Sequence, residues 1–388
     1  MHLERAGIGT PILVGAVVVI IFVAIAALYL SGNIIGKNNG STSSSTQAIP
    51  LIFGSSLELK AGGSSFVNPI MQTWIYDFQA LTNSQITTDY EPLGSGAGIS
   101  GIFAGLYDYA GSDAPVPHAD IQTNASGRTL LQIPEALGSV AIFYNIPGIK
   151  QSLNFTGKVL EGIYLENITS WNDPAITKLN PGVTLPDQTI VVVHRSDGSG
   201  TTYALTTYFN DIDPTWSHRV GVGTFVNWPN SPNPELAEKG SGGVALQVNA
   251  TDYSIGYADS YYAFSNGITT AAIQNSAGVF LKPSIVGAAA SASAFASQVQ
   301  ANATYPIMDA PGAQSYPIST YTYLLVWASQ PSADKADVLT QFFWWIVNQG
   351  QAFAPKLFYA PLPSSVVTID ENLIRQVNYN GQTYGPSS

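Results

Sequence analysis

The 388-residue sequence has no cysteine, which excludes disulfide bonds and a lipid anchor attached through cysteine. It also has little charge, because Asp, Glu, Lys and Arg make up only 10% of the residues, where about a quarter is usual. A surface so poor in charge must be kept soluble by Ser, Thr, Asn and Tyr side chains or by attached sugar. The net charge of −11 argues against non-specific nucleic-acid binding, so we predict no nucleic-acid partner.

Motifs of several enzyme classes are missing as well. The sequence has no G-x-S-x-G nucleophile elbow, no G-x-x-x-x-G-K-[ST] phosphate loop and no H-E-x-x-H zinc motif. The four histidines are scattered, and the carboxylates form no cluster with metal-ligand spacing. His194 lies beside Arg195, but adjacent residues of a strand point to opposite faces, so we expect His194 in the core or on the back face. These absences favour binding without turnover, and we predict no catalytic residue, no metal and no cofactor.

Six Asn-x-Ser/Thr triplets are candidate glycosylation sites: Asn39, Asn124, Asn154, Asn167, Asn249 and Asn302. Such triplets also arise by chance in chains rich in Asn, Ser and Thr. Together with the absence of cysteine, they fit an extracytoplasmic protein.

A long apolar run lies near the N-terminus. About 20 residues between Thr10 and Ser31 carry no charge, which suffices for a helix to cross the hydrocarbon core of a bilayer. Arg5 precedes the run and Lys37 is the next basic residue, so the positive-inside rule places the N-terminus inside and the remainder outside. We therefore predict a membrane anchor over residues 1–35.

Two alternatives remain for this segment. One is a cleaved signal peptide, whose apolar region is usually only about 7–15 residues long. The other is an archaeal pilin-like signal, which the short Arg5-Ala6-Gly7 lead resembles; a retained anchor is favoured over both. Residues 36–56 are predicted to be a flexible stalk, since residues 36–47 contain no apolar side chain, and the folded part is expected to begin near Leu57.

Strands followed by Gly/Ser-rich loops and helices recur along the chain. Residues 57–61 and 85–90 have the alternation of strands, residues 62–66 and 93–98 read as loops, and apolar residues at helical spacing follow each loop. The units recur without a strict period, which indicates an α/β fold rather than a solenoid. Two long apolar strands, residues 133–145 and 317–327, are candidate crossovers between lobes.

The stretch Val191–Tyr203 is the strongest candidate for a binding site. It reads as a buried strand, a tight glycine-containing turn and a helix start, which aims free backbone N–H groups and a positive dipole end at one point. Arg195 adds a guanidinium suited to a tetrahedral oxyanion, while Ser199 and Thr201 add hydroxyl donors. Asp197 is expected to hold Arg195 or to hydrogen-bond the turn. The alternative is an ordinary strand-turn-helix with a surface arginine.

Two other features allow more than one interpretation. Residues 96–101 match the dinucleotide fingerprint G-x-G-x-x-G, but no acidic residue for the ribose is clearly placed after the next strand. The same geometry serves any small anion. Asp113, taken alone, fits a turn-forming residue at the end of a short strand.

Four segments, in sequence order, resemble the ligand-binding segments of the phosphate-binding subunit of phosphate ABC transporters, the PstS family. They are Ala61-Gly62-Gly63-Ser64-Ser65-Phe66, Leu93-Gly94-Ser95-Gly96-Ala97-Gly98, Asp108-Tyr109-Ala110-Gly111-Ser112-Asp113-Ala114-Pro115 and Arg195-Ser196-Asp197-Gly198-Ser199-Gly200-Thr201-Thr202. The resemblance implies a two-lobed α/β fold like that of type II periplasmic binding proteins, with a central ligand cleft. Lobe I would comprise residues 57–140 and 317–388, and lobe II residues 141–316.

The resemblance also implies a phosphate site in this cleft. The backbone and side chain of Ser65 and the backbone N–H of Phe66 would donate to one phosphate oxygen, and Ser95 would donate from the second loop. Asp113 would accept the proton that phosphate still carries near neutral pH. Sulfate carries no proton, so a buried carboxylate would reject it.

On the other side of the cleft, Arg195, oriented by Asp197, would form the charged clamp, and the shell would be completed by Ser199, Gly200 and Thr201. One departure from the family is Ser65, which stands where many relatives have threonine. Another is the predicted N-terminal anchor, which would hold the protein at the outer face of the cytoplasmic membrane.

The resemblance thus implies a monomeric binding protein that captures inorganic phosphate and delivers it to the permease of an ABC importer. The residues also allow two other interpretations of the function. A structural or adhesive surface protein on the same scaffold would also fit the triplets, the low charge and the stalk. A phosphoesterase would use Ser199 or Ser65 as its nucleophile.

Overall fold

The computed structural model of the protein describes residue 51, residues 53–229 and residues 235–385. The predicted anchor, residues 1–35, and the predicted stalk up to residue 50 lie outside these residues. Over the part of the chain that the structure describes, no helix combines the length and the apolar character needed to cross a membrane.

One half of the main sheet has the strand order β2-β1-β3-β12-β4. Its strands are β1 (Leu57–Gly63), β2 (Ile86–Glu91), β3 (Tyr109–Ser112), β4 (Leu130–Asn145) and β12 (Ser319–Trp327). β1 pairs in parallel with β2 and β3, whereas β12 is antiparallel to both β3 and β4. The carboxyl ends of β1, β2 and β3 therefore lie at one edge, where ligand-binding loops of α/β sheets collect.

The other half of the main sheet has the order β4-β8-β6-β7. It adds β6 (Val191–Arg195), β7 (Glu235–Glu238) and β8 (Ser254–Asp259), with β9 (Thr269–Thr270) also paired to β4. β6 is parallel to β7 and to β8, and β8 is antiparallel to β4. Two small sheets contain the remaining strands: β5 (Asn154–Phe155), β10 (Ala272–Gln274), β11 (Phe280–Leu281), β13 (Asn378–Tyr379) and β14 (Gln382–Thr383).

Strand β4 joins the two half-sheets. Nine of its first ten residues, up to Ser139, pair with β12, and residues 140–145 pair with β8. Nearly every residue of the strand is buried, because the strand is covered on both faces, and this explains why its sequence is mostly apolar. The predictions of long strands at 133–145 and 317–327 are confirmed, with β4 starting three residues earlier and β12 two residues later.

Helices follow the strands as the Gly/Ser loops predict. Their bounds are α1 Asn68–Leu81, α2 Ser95–Phe103, α3 His118–Asn124, α4 Gly157–Tyr164, α5 Pro174–Thr177, α6 Gly200–Ile212, α7 Trp216–Arg219, α8 Gly240–Ala250, α9 Ser260–Ser265, α10 Ile285–Ala294, α11 Ala296–Ala301, α12 Ala333–Val347 and α13 Ser364–Ile374, with a 3₁₀ helix at Gln349–Leu357.

The aromatic stripe of α1 belongs to the core, as its spacing predicts. Trp74 is fully buried and donates from Nε1 to the carbonyl of Gly350 at 2.8 Å. The ring of Phe78 lies 4.7 Å from that of Phe342 on α12. Phe53 is also buried and its ring lies 6.5 Å from that of Phe78. Packing therefore begins ahead of Leu57, inside the stretch predicted to be a stalk.

Two local features differ from the sequence interpretation. Four of the six residues of the predicted loop over residues 93–98 are in fact helical, because α2 begins at Ser95. The pairing of β4 with β12 shifts register between Thr322 and Tyr323, which oppose Ala136 and Pro134, so that Glu135 is left as a β-bulge. Bulges re-aim a side chain and are frequent beside functional sites.

Candidate functional site

The predicted site residues all lie where strands of the main sheet end. Ser65 and Phe66 follow β1, and Asp113 comes directly after β3. Ser95 opens α2, and Arg195 is the last residue of β6. The turn after Arg195 contains Asp197 and leads into α6, whose first positions are Ser199 as N-cap, Gly200 and Thr201.

Asp113 is the acceptor of the site and is 1% exposed. Its Oδ1 accepts from the hydroxyl of Ser64, and its backbone N–H donates to Oγ of Ser95 at 3.1 Å. Burial raises the pKa of Asp113 to about 7, although hydrogen bonds from Ser64 and Ser95 and the charge of Arg195 oppose the rise. The carboxyl group can thus gain or lose a proton near neutral pH.

Arg195 and Asp197 form the charged side of the site. Nε of Arg195 donates to Oδ1 of Asp197 at 2.7 Å and Nη2 donates to Oδ2, a two-pronged pairing that fixes the plane of the guanidinium. Burial alone would raise the pKa of Asp197, but the hydrogen bonds and charge of Arg195 outweigh it and hold the pKa below its ordinary value. The backbone N–H of Gly240 adds a further donor to Asp197 at 3.1 Å. Asp197 is therefore ionised, and its two hydrogen bonds to Arg195 fix the orientation of the guanidinium.

The N-terminus of α6 supplies donors. Ser199 caps the helix, because its Oγ accepts from the backbone N–H of Thr202 at 3.1 Å. Its own backbone N–H donates to the carbonyl of Thr224, so its remaining donor is the hydroxyl hydrogen. Oγ of Thr201 is buried and makes no hydrogen bond of ordinary geometry within the described residues, although it lies close enough to Asp113 to lower the pKa of that carboxyl. A buried hydroxyl without a partner calls for a ligand or water.

Two glycines allow the two half-sheets to meet at this point. A Cβ placed on Gly200 would lie 2.5 Å from Cβ of Asp113 and 2.7 Å from Oγ of Ser95, so only glycine fits there. Gly94 has a φ of +99°, and a Cβ on it would collide with the carboxylate of Asp197. The segment that contains Asp113 and the segment that contains Arg195 and Asp197 are therefore in direct contact.

Ser65 joins the same cluster from a third direction. Its Oγ accepts from the backbone N–H of Ser241 at 3.0 Å and lies 3.2 Å from Oγ of Ser241. Nη1 of Arg195 donates to the same Ser241 hydroxyl at 3.5 Å. Phe66 is placed beside Ser65, but its backbone N–H, expected to donate to a ligand, here donates to Oγ of Ser64 at 3.0 Å.

Sequence reasoning missed several residues of the site. Ser241 and Tyr262, which donates to the carbonyl of Ser65 at 3.1 Å, come from a glycine- and aromatic-rich stretch without a clear period. Glu135 and Asp259 are fully buried carboxyl groups whose pKa values are held well above the ordinary range by burial and, to a smaller extent, by the charge of Asp113. Charged residues inside otherwise apolar strands were the available signal for both.

The other residues singled out from the sequence lie elsewhere. His194 is buried, its ring centroid lies 5.3 Å from that of Trp228, and its Nε2 lies 3.8 Å from Glu235. The prediction that His194 belongs to the core or back face is confirmed. A separate surface groove of about 470 Å³, lined by Lys150, Lys282 and Phe358 among others, contains none of the predicted site residues.

The assembled site has the chemistry of a cradle for a small protonated oxyanion. It combines one guanidinium, a helix N-terminus and serine and threonine hydroxyls, which are donors, with one carboxyl group that can accept. Over the described part of the chain, no group of three or more His, Asp and Glu side chains is arranged to hold a metal ion.

Comparison with known proteins agrees with this geometry. The PBP superfamily domain matches residues 38–349. The chain is 36% identical over 313 residues to the phosphate-binding protein PstS of Xylella fastidiosa strain 9a5c, covering 80% of this chain and 83% of that protein. It is 35% identical over 345 residues to PstS of Methanocaldococcus jannaschii, covering 83% and 87%.

Among solved structures, the fold is similar to that of a phosphate-binding protein from Stenotrophomonas maltophilia. The TM-score is 0.62 at 20% identity, and the match covers 81% of this chain and 93% of that one. This likeness supports the two-lobed α/β architecture that the half-sheets and β4 form. Since a superfamily domain matches most of the chain and relatives above 30% identity cover four fifths of it, the chain belongs to the PstS family of binding proteins within the PBP superfamily.

Proposed function

We propose that this protein captures inorganic phosphate between its two half-sheets, outside the cytoplasm, and delivers it to an ABC-type importer. The observation that carries the proposal is the setting of Asp113, a buried carboxyl group that is hydrogen-bonded by neighbouring hydroxyls and lies within the electrostatic influence of Arg195. The names of the relatives, phosphate-binding proteins, support the same ligand.

The donors would hold the anion and the acceptor would select it. Each charge-assisted hydrogen bond from Arg195 or from the start of α6 contributes about 1.5–3 kcal/mol. Phosphate near neutral pH still carries a proton that the carboxylate of Asp113 can accept. A fully ionised sulfate would place two acceptors against each other, which costs several kcal/mol in a buried site. Selection therefore rests on one proton.

The remaining assignments belong to the same proposal. The direct ligand contacts are assigned to Ser65, Ser95, Asp113, Arg195, Ser199, Gly200 and Thr201, with Asp197 in support. Phe66, also expected to contact the ligand, has its backbone N–H engaged by Ser64 and is not assigned a contact. Lobe I is assigned to residues 57–140 and 317–388 and lobe II to residues 141–316, in the type II arrangement, because β4 changes pairing partner between Ser139 and Val140.

The protein is proposed to work as a monomer, held at the outer face of the membrane by the N-terminal segment and engaging the permease of the importer. The uncharged run between Thr10 and Ser31 supports the anchor.

Ligand-induced stabilisation tests the function. A ligand present at 100 times its Kd stabilises the folded state by about 2.7 kcal/mol, so millimolar phosphate should raise the melting temperature of the purified chain by several degrees. Sulfate at the same concentration and ionic strength should leave it unchanged at pH 8. Equal shifts with both anions, or none with either, would refute the proposal.

A further inference from the structure

We infer that Ser64, rather than serving only to stabilise the turn before α1, is a positioning residue that fixes Asp113 so that only its Oδ2 can take a proton from the ligand. The inference rests on the proposed function, and it assigns part of the selectivity to a side chain that does not itself face the anion. Ser64 is fully buried, between the end of β1 and the start of α1.

The hydrogen-bond partners of the Ser64 hydroxyl fix the direction in which its hydrogen points. A hydroxyl has one hydrogen to donate and two lone pairs to accept with. Both lone pairs of Ser64 Oγ are engaged, by the backbone N–H groups of Phe66 at 3.0 Å and Val67 at 3.3 Å. Its hydrogen must therefore point to the remaining partner, Oδ1 of Asp113.

This arrangement decides which oxygen of Asp113 meets the ligand. Oδ1 is an acceptor from Ser64 and cannot readily carry a proton of its own. Oδ2 faces the start of α6, since a Cβ on Gly200 would lie 2.7 Å from it and equally close to Oγ of Ser95. A proton brought by the anion thus has one acceptor, in a direction fixed by Ser64.

Backbone contacts hold Ser64 itself in place. Its own N–H donates to the carbonyl of Gly111 on the strand that leads to Asp113, at 2.8 Å, and its carbonyl accepts from the hydroxyl of Tyr90 at 2.9 Å. The two ends of the Ser64–Asp113 hydrogen bond are therefore tied to neighbouring strands, β1 and β3. The carboxyl group cannot rotate without breaking a bond inside this frame.

The test is the ratio of phosphate to sulfate affinity in Ser64→Ala, measured by calorimetry on the full chain. Losing one hydrogen bond to a charged acceptor should lower the ratio by about tenfold to a hundredfold. Ser291→Ala is the matched control, because Ser291 is equally buried but its hydroxyl lies within hydrogen-bond distance of the carbonyls of Gly287 and Tyr316 only, and its ratio should stay unchanged. A ratio for Ser64→Ala within about twofold of the wild-type ratio would overturn the inference.

A double-mutant comparison separates positioning from general damage. In an Asp113→Asn background, Ser64→Ala should change the ratio by less than about twofold, because its effect passes through the carboxylate. An equal change in both backgrounds would show that Ser64 acts independently of Asp113 and would refute the inference. Should Ser64→Ala fail to fold, Ser64→Cys keeps the size of the side chain with a much weaker donor and must lower the ratio likewise.

The outcomes also distinguish this inference from the proposed function. If the wild-type chain binds phosphate and rejects sulfate while Ser64→Ala retains the ratio, only the role of Ser64 fails. If the wild-type chain does not bind phosphate, the proposed function fails first.

Discussion

Asp113 and Asp197 are two aspartates of one site with opposite electrostatic surroundings. Asp113, at the end of β3, receives hydrogen bonds from neutral hydroxyls and has its pKa raised by burial to about 7. Asp197, after β6, is paired at both oxygens with Arg195, which holds its pKa below the ordinary value despite partial burial. In this site, the buried carboxyl that stays ionised is the one that has a cation bonded to it directly. The half-sheet that contains β3 thus contributes a carboxyl group that can change its protonation state. The half-sheet that contains β6 contributes an ion pair, Asp197 with Arg195, that stays charged.

Removing the positive charge of Arg195 should have the largest effect on anion binding. Arg195→Ala deletes the guanidinium and also leaves Asp197 unpaired, so phosphate affinity should fall by about a thousandfold. Titration calorimetry measures the change, and circular dichroism checks that the fold persists. Arg219→Ala, at the exposed end of α7, is the control and should bind as the wild type does. Near-native affinity in Arg195→Ala would mean that the clamp is not part of the site.

The protonation of Asp113 should have the next largest effect, which is on the pH dependence of sulfate binding. Above about pH 7 Asp113 is a carboxylate that repels sulfate; below it, the protonated carboxyl can donate to sulfate. Sulfate affinity should therefore rise by about tenfold per unit as the pH falls toward 7, since one proton is taken up with the anion, and it should level off below 7, where Asp113 is already protonated. Asp113→Asn should bind sulfate about a hundredfold more tightly than the wild type at pH 9, with no such dependence. A sulfate affinity that is equally flat in both proteins would contradict the role of Asp113.

A substitution at the contact between the two half-sheets should affect anion binding less than a change at Arg195 or Asp113. Gly200→Ala places a methyl group 2.5 Å from Cβ of Asp113, which forces the start of α6 away from the acceptor at a cost of about 1–3 kcal/mol. Phosphate affinity should fall by about tenfold to a hundredfold. Gly54→Ala, where a Cβ meets no atom within 4 Å, should bind normally. Equal affinities for the two variants would show that the gap between the regions is not tight.

Glu135 sharpens the comparison because it is a buried carboxyl with no cation bonded to it. Its Oε1 accepts from Thr322 at 3.2 Å, Oε2 has no partner within the described residues, and burial holds its pKa well above the ordinary 4.5. The folded state therefore keeps a proton that the unfolded chain loses above pH 4.5, and stability falls as the pH rises from there.

Glu135→Gln removes that proton linkage and should leave phosphate affinity nearly unchanged. Its free energy of unfolding relative to the wild type should improve by about 1.4 kcal/mol per pH unit above 4.5, until the pKa of the folded state is reached. Urea denaturation at several pH values measures this slope. Glu58→Gln, on an exposed position of β1, should show no slope. A Glu135→Gln difference that is constant with pH would mean that Glu135 is ionised in the folded protein.

The sequence supports prediction of the parts of this site that lie in local patterns. Arg195, Asp197 and Thr201 are found because a strand, a turn and a helix start have their own signatures within thirteen residues. Asp113 is singled out by the family resemblance, since its place after a short strand fits a turn-forming residue equally well. Each of these depends on neighbours in the chain, which periodicity and turn chemistry can identify.

The parts that could not be predicted depend on distant contacts. Ser241 reaches Ser65 across 176 positions of sequence. Glu135 lies at a register shift of β4 against β12, which no alternation pattern contains. Ser64 looks like any serine in a loop until its three hydrogen-bond partners are known. Hydrogen-bond partners of this kind are set by tertiary packing and leave no signal in composition or spacing.

The most direct test of the account is a calorimetric titration of the purified chain with phosphate at pH 8, in the absence and presence of a large excess of sulfate. A single acceptor among many donors predicts one phosphate per chain, with an affinity that sulfate does not change. Displacement of phosphate by sulfate at comparable concentration would contradict the central claim that one proton, accepted by Asp113, decides what the site holds.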